Sequence, residues 1–414
     1  MNRSKRVVHM TTVHHPLDTR IYYKECQSLQ AAGYDVTLIA PNIEDEEQAL
    51  KLKQSSMRVI TFKKPRNRLF RMLFSTLRVY KTARQLQADY YHFHDPELLL
   101  VAALLKRKHN VVIFDVHEDY ETSIMLKDYL SKPLRRVFAS IYSLIEKILT
   151  KNMHLCLAEK YYKNKYPQGT CILNYPLLDS LSNRHQDELQ QNKAKAKASS
   201  RLNGGAKNST APNLGTNAPG CHNGMRNKLI YTGNVSLERG AGIHAGLPLI
   251  DSQLEVYFIG KCPQKLASQM YEVAGDQRER IIIEGIDRYI PREEIDAWYH
   301  RHDWLAGLAL FPPLKHYMQK ELTKFFEYMA AGIPIICSNF PVWKQFIEEY
   351  ACGLTVNPYD TLEIKEAVEY LKANPNKARE MGENGRRAVL QRLNWETEEK
   401  KLVRWYAEIG ANPV

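Results

Sequence analysis

Twice along this chain, short apolar runs alternate with stretches of helical spacing, and a chain so patterned has few ways to bury both kinds of element. Arg6–Met10 (RVVHM), 34–39, 57–62, Tyr90–Phe93 and 111–114 are apolar runs of strand length, whereas 19–32 and 98–106 carry apolar residues at helical spacing. Runs that are apolar throughout belong to parallel strands covered on both faces. The series restarts at 228–235 (KLIYTGNV) and continues through 254–260, 280–286, 305–311 and 333–338. The expected fold class is α/β, with two Rossmann-like doubly wound domains facing across a cleft and ligands at the carboxyl ends of the strands.

Between the two series, 180–227 holds almost no large apolar residue and cannot bury enough surface to offset the entropy of ordering it. It is expected to be a flexible connector between a first domain, 1–179, and a second, 228–393, with 394–414 forming a closing helix that returns toward the first. Its basic, Asn-rich composition also suits a nucleic-acid arm, but it lacks the interleaved aromatic residues that stack on bases, so nucleic acid is not an expected partner. At 414 residues the chain exceeds the size at which single cores stop growing, which again favours two domains.

The net charge of +12 points to something anionic: a phosphorylated small molecule, an acidic membrane face or nucleic acid. No apolar run is long enough to span a bilayer and the N-terminus lacks a secretory pattern, so a cytoplasmic location is expected. The seven cysteines are scattered without a CxxC pair, which argues against a disulfide framework or a zinc site.

One stretch carries chemistry. In ELTKFFEYMAAGIPIICSNFP, 321–341, Lys324 and Glu327 stand three apart on a helix that ends at Gly332 and leads into a buried strand. A helix N-terminus and a lysine suit a diphosphate, and a carboxylate suits the two hydroxyls of a ribose. On spacing alone, an ordinary surface ion pair is the better-supported reading.

KFFEYMAAGIPIICSNFP at 324–341, CGLTVNP at 352–358 and LNWETEEKKLVRWY at 393–406 resemble the donor-binding half of retaining glycosyltransferase family 4, which has the two-domain GT-B fold. TTVHHPLDTRIYYKECQSLQAAGYDVTLIAPN at 11–42, YHFHDPELL at 91–99 and IFDVHEDY at 113–120 resemble the same family, notably its members from polysaccharide-assembly gene clusters. The resemblance implies a retaining, metal-independent, hexosyltransferase-like enzyme that needs no cofactor. It would move a sugar from a UDP- or GDP-linked donor to a glycan or lipid-linked acceptor. It implies that Glu327 holds the ribose and that Lys324 and Arg239 face the diphosphate, with Gly233 and Asn234 beside them. Where the family carries a first glutamate this chain has Gln319, and where it carries an arginine this chain has Asn234; neither amide carries charge. A catalytically weakened partner subunit, or a nucleotide-sugar hydrolase or epimerase, therefore stays open. In the first domain the resemblance places His94 near the reacting sugar carbon, and His14, Asp18, Arg20, His117 and Glu118 toward the acceptor. Asp115 is expected to be structural.

Two segments, 66–86 and 132–151, are basic and amphipathic. Each suits the surface of an anionic bilayer, giving a peripheral membrane protein, and each equally suits a helix that packs its apolar residues on the domain sheet.

Overall fold

A computed structural model describes residues 3–43, 45–63, 70–117, 120–125, 131–178 and 227–411. Glu118, nearly all of the expected connector, Cys221 and 66–69 lie outside the described residues. The chain divides into two compact units, one formed by Met1–Tyr175 with Trp395–Val414 and the other by Pro176–Asn394.

The first unit holds seven parallel strands: β1 (Arg6–Met10), β2 (Asp35–Pro41), β3 (Arg58–Phe62), β4 (Tyr90–Phe93), β5 (Val111–Val116), β6 (His154–Leu157) and β7 (Thr170–Cys171). Their order is β3-β2-β1-β4-β5-β6-β7, so the winding reverses between β1 and β4. Since paired residues of parallel strands point to the same face, the register sorts the side chains into two rows. His9 pairs with His92, and Asp115 with Cys156, which puts a polar row on one face. Val8, Met10, Tyr91, Phe93, Val112 and Phe114 form the other, and there they join the apolar core under the helices Thr76–Leu86 and Leu99–Leu105.

The polar face is covered by Thr19–Cys26 and Gln27–Ala31 and by the last helix, Trp395–Ala411. Asp18 caps the first of these, accepting from the amides of Arg20 (2.9 Å) and Ile21 (3.0 Å). This segment is π-helical, a wider coil than the α-helix, and Arg20 and Glu25 are among its buried residues. The last helix is tied down by Trp395 Nε1, donating to Ser28 Oγ (2.9 Å), and by Glu398, which accepts from the Leu173 amide (2.9 Å).

The second unit repeats the plan with six parallel strands: β8 (Lys228–Thr232), β9 (Glu255–Cys262), β10 (Ile281–Ile286), β11 (Ala306–Ala309), β12 (Ile335–Ser338) and β13 (Gly353–Val356). The order β10-β9-β8-β11-β12-β13 reverses between β8 and β11. The expected strand 228–235 stops at Thr232, because Gly233 turns the backbone at φ +93°. The two doubly wound sheets are the fold class expected from the sequence. Among the described residues every cysteine is a free thiol, and no helix is long and apolar enough to cross a membrane.

The helix-on-sheet reading of 66–86 holds for Tyr80, which is partly buried on the core, but not for the more N-terminal apolar residues. Met72, Leu73 and Leu77 are exposed, and the positions buried against the sheet are Val79 and Ala83.

Candidate functional site

In the second unit the functional candidates gather where the strand order reverses, the place at which such sheets bind ligands. Lys324 lies in the first turn of the helix Thr323–Ala330, which follows β11. It is buried, with Nζ donating to the Thr232 carbonyl (3.0 Å) and standing 3.6 Å from the centre of the Tyr231 ring. Burial first, and then the charge of Arg239, hold its pKa well below the usual lysine value.

Arg239 comes from the other side of the reversal, on the short turn Leu237–Arg239 after β8. Its Nε donates to the Tyr317 hydroxyl (3.2 Å), and its Nη1 reaches the Asn234 carbonyl (3.5 Å), which also accepts from Tyr231 (2.8 Å). Two basic residues from two separate connections thus converge around Tyr231: Lys324 lies over its ring, and Arg239 shares the Asn234 carbonyl with its hydroxyl. Gly233 and Gly240 shape the loop between strand and turn. Gly240, at φ +79°, passes so close to β11 that a Cβ there would stand 1.9 Å from the Leu310 carbonyl oxygen. A Cβ on Gly233 would meet nothing within 4 Å, so open space fronts that backbone.

Glu327 follows Lys324 by one turn but does not pair with it, which overturns the surface ion-pair reading. Its Oε1 accepts from Arg292, and its Oε2 accepts from the Tyr299 hydroxyl (2.8 Å). The Tyr299 oxygen in turn lies 2.9 Å from Thr232 Oγ1. Burial works to lower the Arg292 pKa, and Glu327 with Asp296 more than offsets it, raising the value. Each carboxylate oxygen keeps a second acceptor position, so Glu327 is oriented without being used up. Gln319 is exposed on the loop before this helix.

In the first unit the candidates surround Asp115, at the end of β5. Arg20 Nε (2.9 Å) and Nη2 (2.6 Å) grip its two oxygens, and the same guanidinium lies 3.1 Å from Glu25 Oε1. Asp115 Oδ2 also faces His94 Nδ1 (3.0 Å) and His117 Nδ1 (3.1 Å). The far nitrogen of His94 meets His9 (3.0 Å), and that of His117 meets His14 (3.0 Å). His14 also approaches Asp95 (3.3 Å) and Asp18 (3.8 Å).

The electrostatics divide this cluster. Burial opposes ionisation of Asp115, yet Arg20 foremost, with His117 and His94, holds its carboxyl well below the ordinary range. Glu25 goes the other way: burial and the neighbouring Asp115 push it well above, and Arg20 offsets only part of that. Burial also lowers His9, His92 and His94. For Asp95 burial is outweighed by His14, Thr12 and Thr11, which hold it at about 2. Donor atoms of His9, Glu25, His92 and His94 lie within 4.8 Å of one another, as do those of Glu25, His92, Asp115 and Cys156, and of His94, Asp115 and His117. Arg20 already sets a fixed positive charge against the carboxylates of all three groups.

Two placements differ from expectation, that of His94 near the reacting sugar carbon and that of Arg20 on the acceptor side. His94 is fully buried, because both ring nitrogens are engaged inside the unit, and Arg20 is buried because it neutralises Asp115. His14 and His117 are the partly exposed members, and Glu118 is outside the described residues. Sequence reasoning missed Arg292, Tyr299, Tyr231, Tyr317, His9 and Glu25. A reading of strand register would have linked His9 to His92, whereas no spacing signal marks Arg292.

Residues 19–159 match the family model Glycosyltransferase Family 4, and 289–388 match Glycosyl transferases group 1. No curated protein matches the chain. Among solved structures, the sucrose-phosphate synthase of Thermosynechococcus elongatus aligns with TM-score 0.65 and 16% identity over 98% of this chain and 99% of that one. A glycosyltransferase of Rickettsia africae ESF-5 aligns with TM-score 0.68 and 12% identity over 99% of each chain. Anabaena Alr3699/HepE, in complex with UDP, aligns with TM-score 0.66 and 11% identity over 98% of this chain and 100% of that one. Such identities show a common fold, and the two family models, met in chain order on its two sheets, add the activity class. The chain is a GT4-like glycosyltransferase with the GT-B fold.

Proposed function

We propose that the chain transfers a sugar from a nucleotide-sugar donor to a glycan or lipid-linked acceptor with retention of configuration, in surface-polysaccharide assembly in the cytoplasm. The observation that carries this reading is the convergence of Lys324, over the Tyr231 ring, and Arg239, on the Tyr317 hydroxyl and close enough to Lys324 to act on its charge, with Glu327 one helical turn away. Transfer needs the charge of a departing nucleoside diphosphate to be stabilised, and Arg239 together with Lys324, which the arriving diphosphate favours in its protonated form, supplies that beside helix amides without a divalent metal. Glu327, held by Arg292 and Tyr299, takes the ribose hydroxyls. Gly233 gives the diphosphate room against the backbone, with Asn234 donating beside it, and Gln319 faces the sugar. In the first unit His14, His117 and Asp18 line the acceptor side, while His94 and Arg20 position His117 through Asp115. The HepE structures contain UDP and UDP-glucose, which makes UDP the first base to test ahead of GDP.

Calorimetric titration with UDP and GDP, followed by transfer assays with and without EDTA, tests the reading. Removing one charge-assisted hydrogen bond costs about 1.5–3 kcal/mol, so Arg239→Ala should weaken UDP binding roughly 10- to 100-fold. Glu327→Ala and Lys324→Ala should lose most transfer while the protein stays folded, and near-native rates in both would refute the assignment. The anomeric proton of the product reports retention. Gln319 and Asn234 favour a second reading, a partner subunit of weakened activity: such a protein would bind UDP yet neither transfer nor hydrolyse.

A further inference from the structure

The helix Lys132–Thr150 of the first unit is turned inside out. Leu134, Val137, Phe138, Ile141, Leu144 and Ile148 recur at helical spacing, and each is 46–63% exposed. The face turned inward carries Ala139, Tyr142, Glu146 and Thr150, the reverse of the usual arrangement in a globular unit. That orientation is locked. Glu146 Oε1 accepts from the Tyr142 hydroxyl (2.6 Å), Glu146 Oε2 pairs with Lys165 (2.7 Å), and Thr150 Oγ1 donates to the Glu146 carbonyl (2.7 Å). Of these contacts the Glu146–Lys165 pair ties the helix to a neighbouring segment, and rolling the helix to bury its leucines would break it and expose Glu146, Tyr142 and Thr150 instead.

Two neighbours extend the same surface. Leu99–Leu105 contacts both Lys132–Thr150 and Thr76–Leu86, and it exposes Leu100 and Leu104 while burying Leu99, Val101, Ala102 and Leu105. The first turns of the 70–86 segment expose Phe70, Leu73, Phe74 and Leu77. Three adjacent helices thus present large apolar side chains outward, well beyond the scattered exposure of an ordinary soluble surface.

The charge around them has one sign. The stretch 70–86 contains Arg71, Arg78, Lys81 and Arg84 and no acidic residue, and 106–108 is Lys-Arg-Lys. The single acid of 132–150 is Glu146, which points inward to Lys165. Arg78, Lys81, Arg84, Arg136 and Lys147 are all exposed. Apolar side chains within a basic surround match the two layers of an anionic bilayer, acyl chains below and phosphate headgroups at the rim.

We propose that this three-helix face docks the protein on an anionic lipid bilayer, with Leu73, Phe74, Ile141, Leu144 and Ile148 entering the acyl boundary and the basic residues at the headgroups. The inference is independent of the transfer reaction. Flotation with vesicles of pure phosphatidylcholine and of phosphatidylcholine with phosphatidylglycerol (3:1) tests it. Binding should favour the anionic vesicles by at least about tenfold and weaken as salt rises past the screening regime. The variants Leu144→Glu and Leu73→Glu, at side chains that are 60% and 62% exposed, should keep melting temperature and UDP affinity and lose vesicle binding. Arg78→Ala with Arg136→Ala should reduce the preference for anionic lipid. Absence of anionic-vesicle binding in the unaltered protein, or undiminished binding in the glutamate variants, overturns the proposal. So does a concentration-dependent dimer that the same variants abolish, which would assign the face to a second copy.

Discussion

Lys324 is held in a place where a bare ammonium is costly and a paired one is not. The ring of Tyr231 and one carbonyl offset part of its desolvation, while Arg239 works against its charge, so its pKa is well below the free value. A diphosphate arriving between the two cations reverses that balance. Nucleotide binding should therefore take up a proton, and UDP affinity should fall as pH rises from the depressed pKa of the empty site toward the higher pKa of the filled one. Calorimetry in buffers of differing ionisation enthalpy measures the uptake directly, and a buffer-independent heat would count against a charge-poor Lys324. At this scale the family resemblance disclosed Lys324, Glu327 and Arg239, whose spacing and place after a strand alone suited a surface ion pair and an ordinary turn just as well. Their partners stayed hidden, since Tyr231 lies inside an apolar strand and reads as core, and Arg292 and Tyr299 sit on a helix with an ordinary surface pattern.

Elements in this chain were legible where their pattern was pure. β1 and β4 match the apolar runs residue for residue, because strands buried on both faces tolerate little else. β7 spans only two residues, too few to show a period. The amphipathic helices were legible as helices but not in orientation, since the partner of Glu146 lies outside its helix, on Lys165. The turn after β8 allows a paired experiment on one element. Gly240→Ala meets both a left-handed backbone and the Leu310 carbonyl, so it should cost about 2 kcal/mol or more and lower the melting temperature by several degrees. Gly233→Ala meets only the backbone penalty of about 1 kcal/mol and puts a methyl into the open space of the donor site. It should reduce UDP affinity by a larger factor than Gly240→Ala does. Equal effects of the two on melting and on binding would contradict this division of roles.

For the whole molecule, the buried polar face of the first sheet sets how stability responds to acid. His9, His92 and His94 have lowered pKa values, so their contribution is present above the unfolded value of about 6.5 and is lost as pH falls below it. Glu25 has the opposite sign: its raised pKa contributes below about 4.3 and loses that contribution as pH rises. Three histidines outweigh one carboxyl between pH 7 and 5. The first unit should lose stability on acidification, by up to about 1.4 kcal/mol per pH unit for each extra proton held by the unfolded chain. Calorimetric melts at pH 7.5, 6 and 5 test it, and a transition that holds steady or rises contradicts the burial of neutral histidines. The two-sheet plan itself was readable from the alternation of elements. The polar face was not, because it forms only when register aligns His9 with His92 and when Tyr406, far along the chain, meets His92 Nδ1 (2.7 Å). That last contact has a temporal consequence. Trp395–Ala411 emerges from the ribosome after every residue of the second unit, so a nascent chain can complete that later unit while the earlier one still waits for its lid. Vectorial synthesis thus leaves the older half of the protein without its covering helix until the whole second unit has been made.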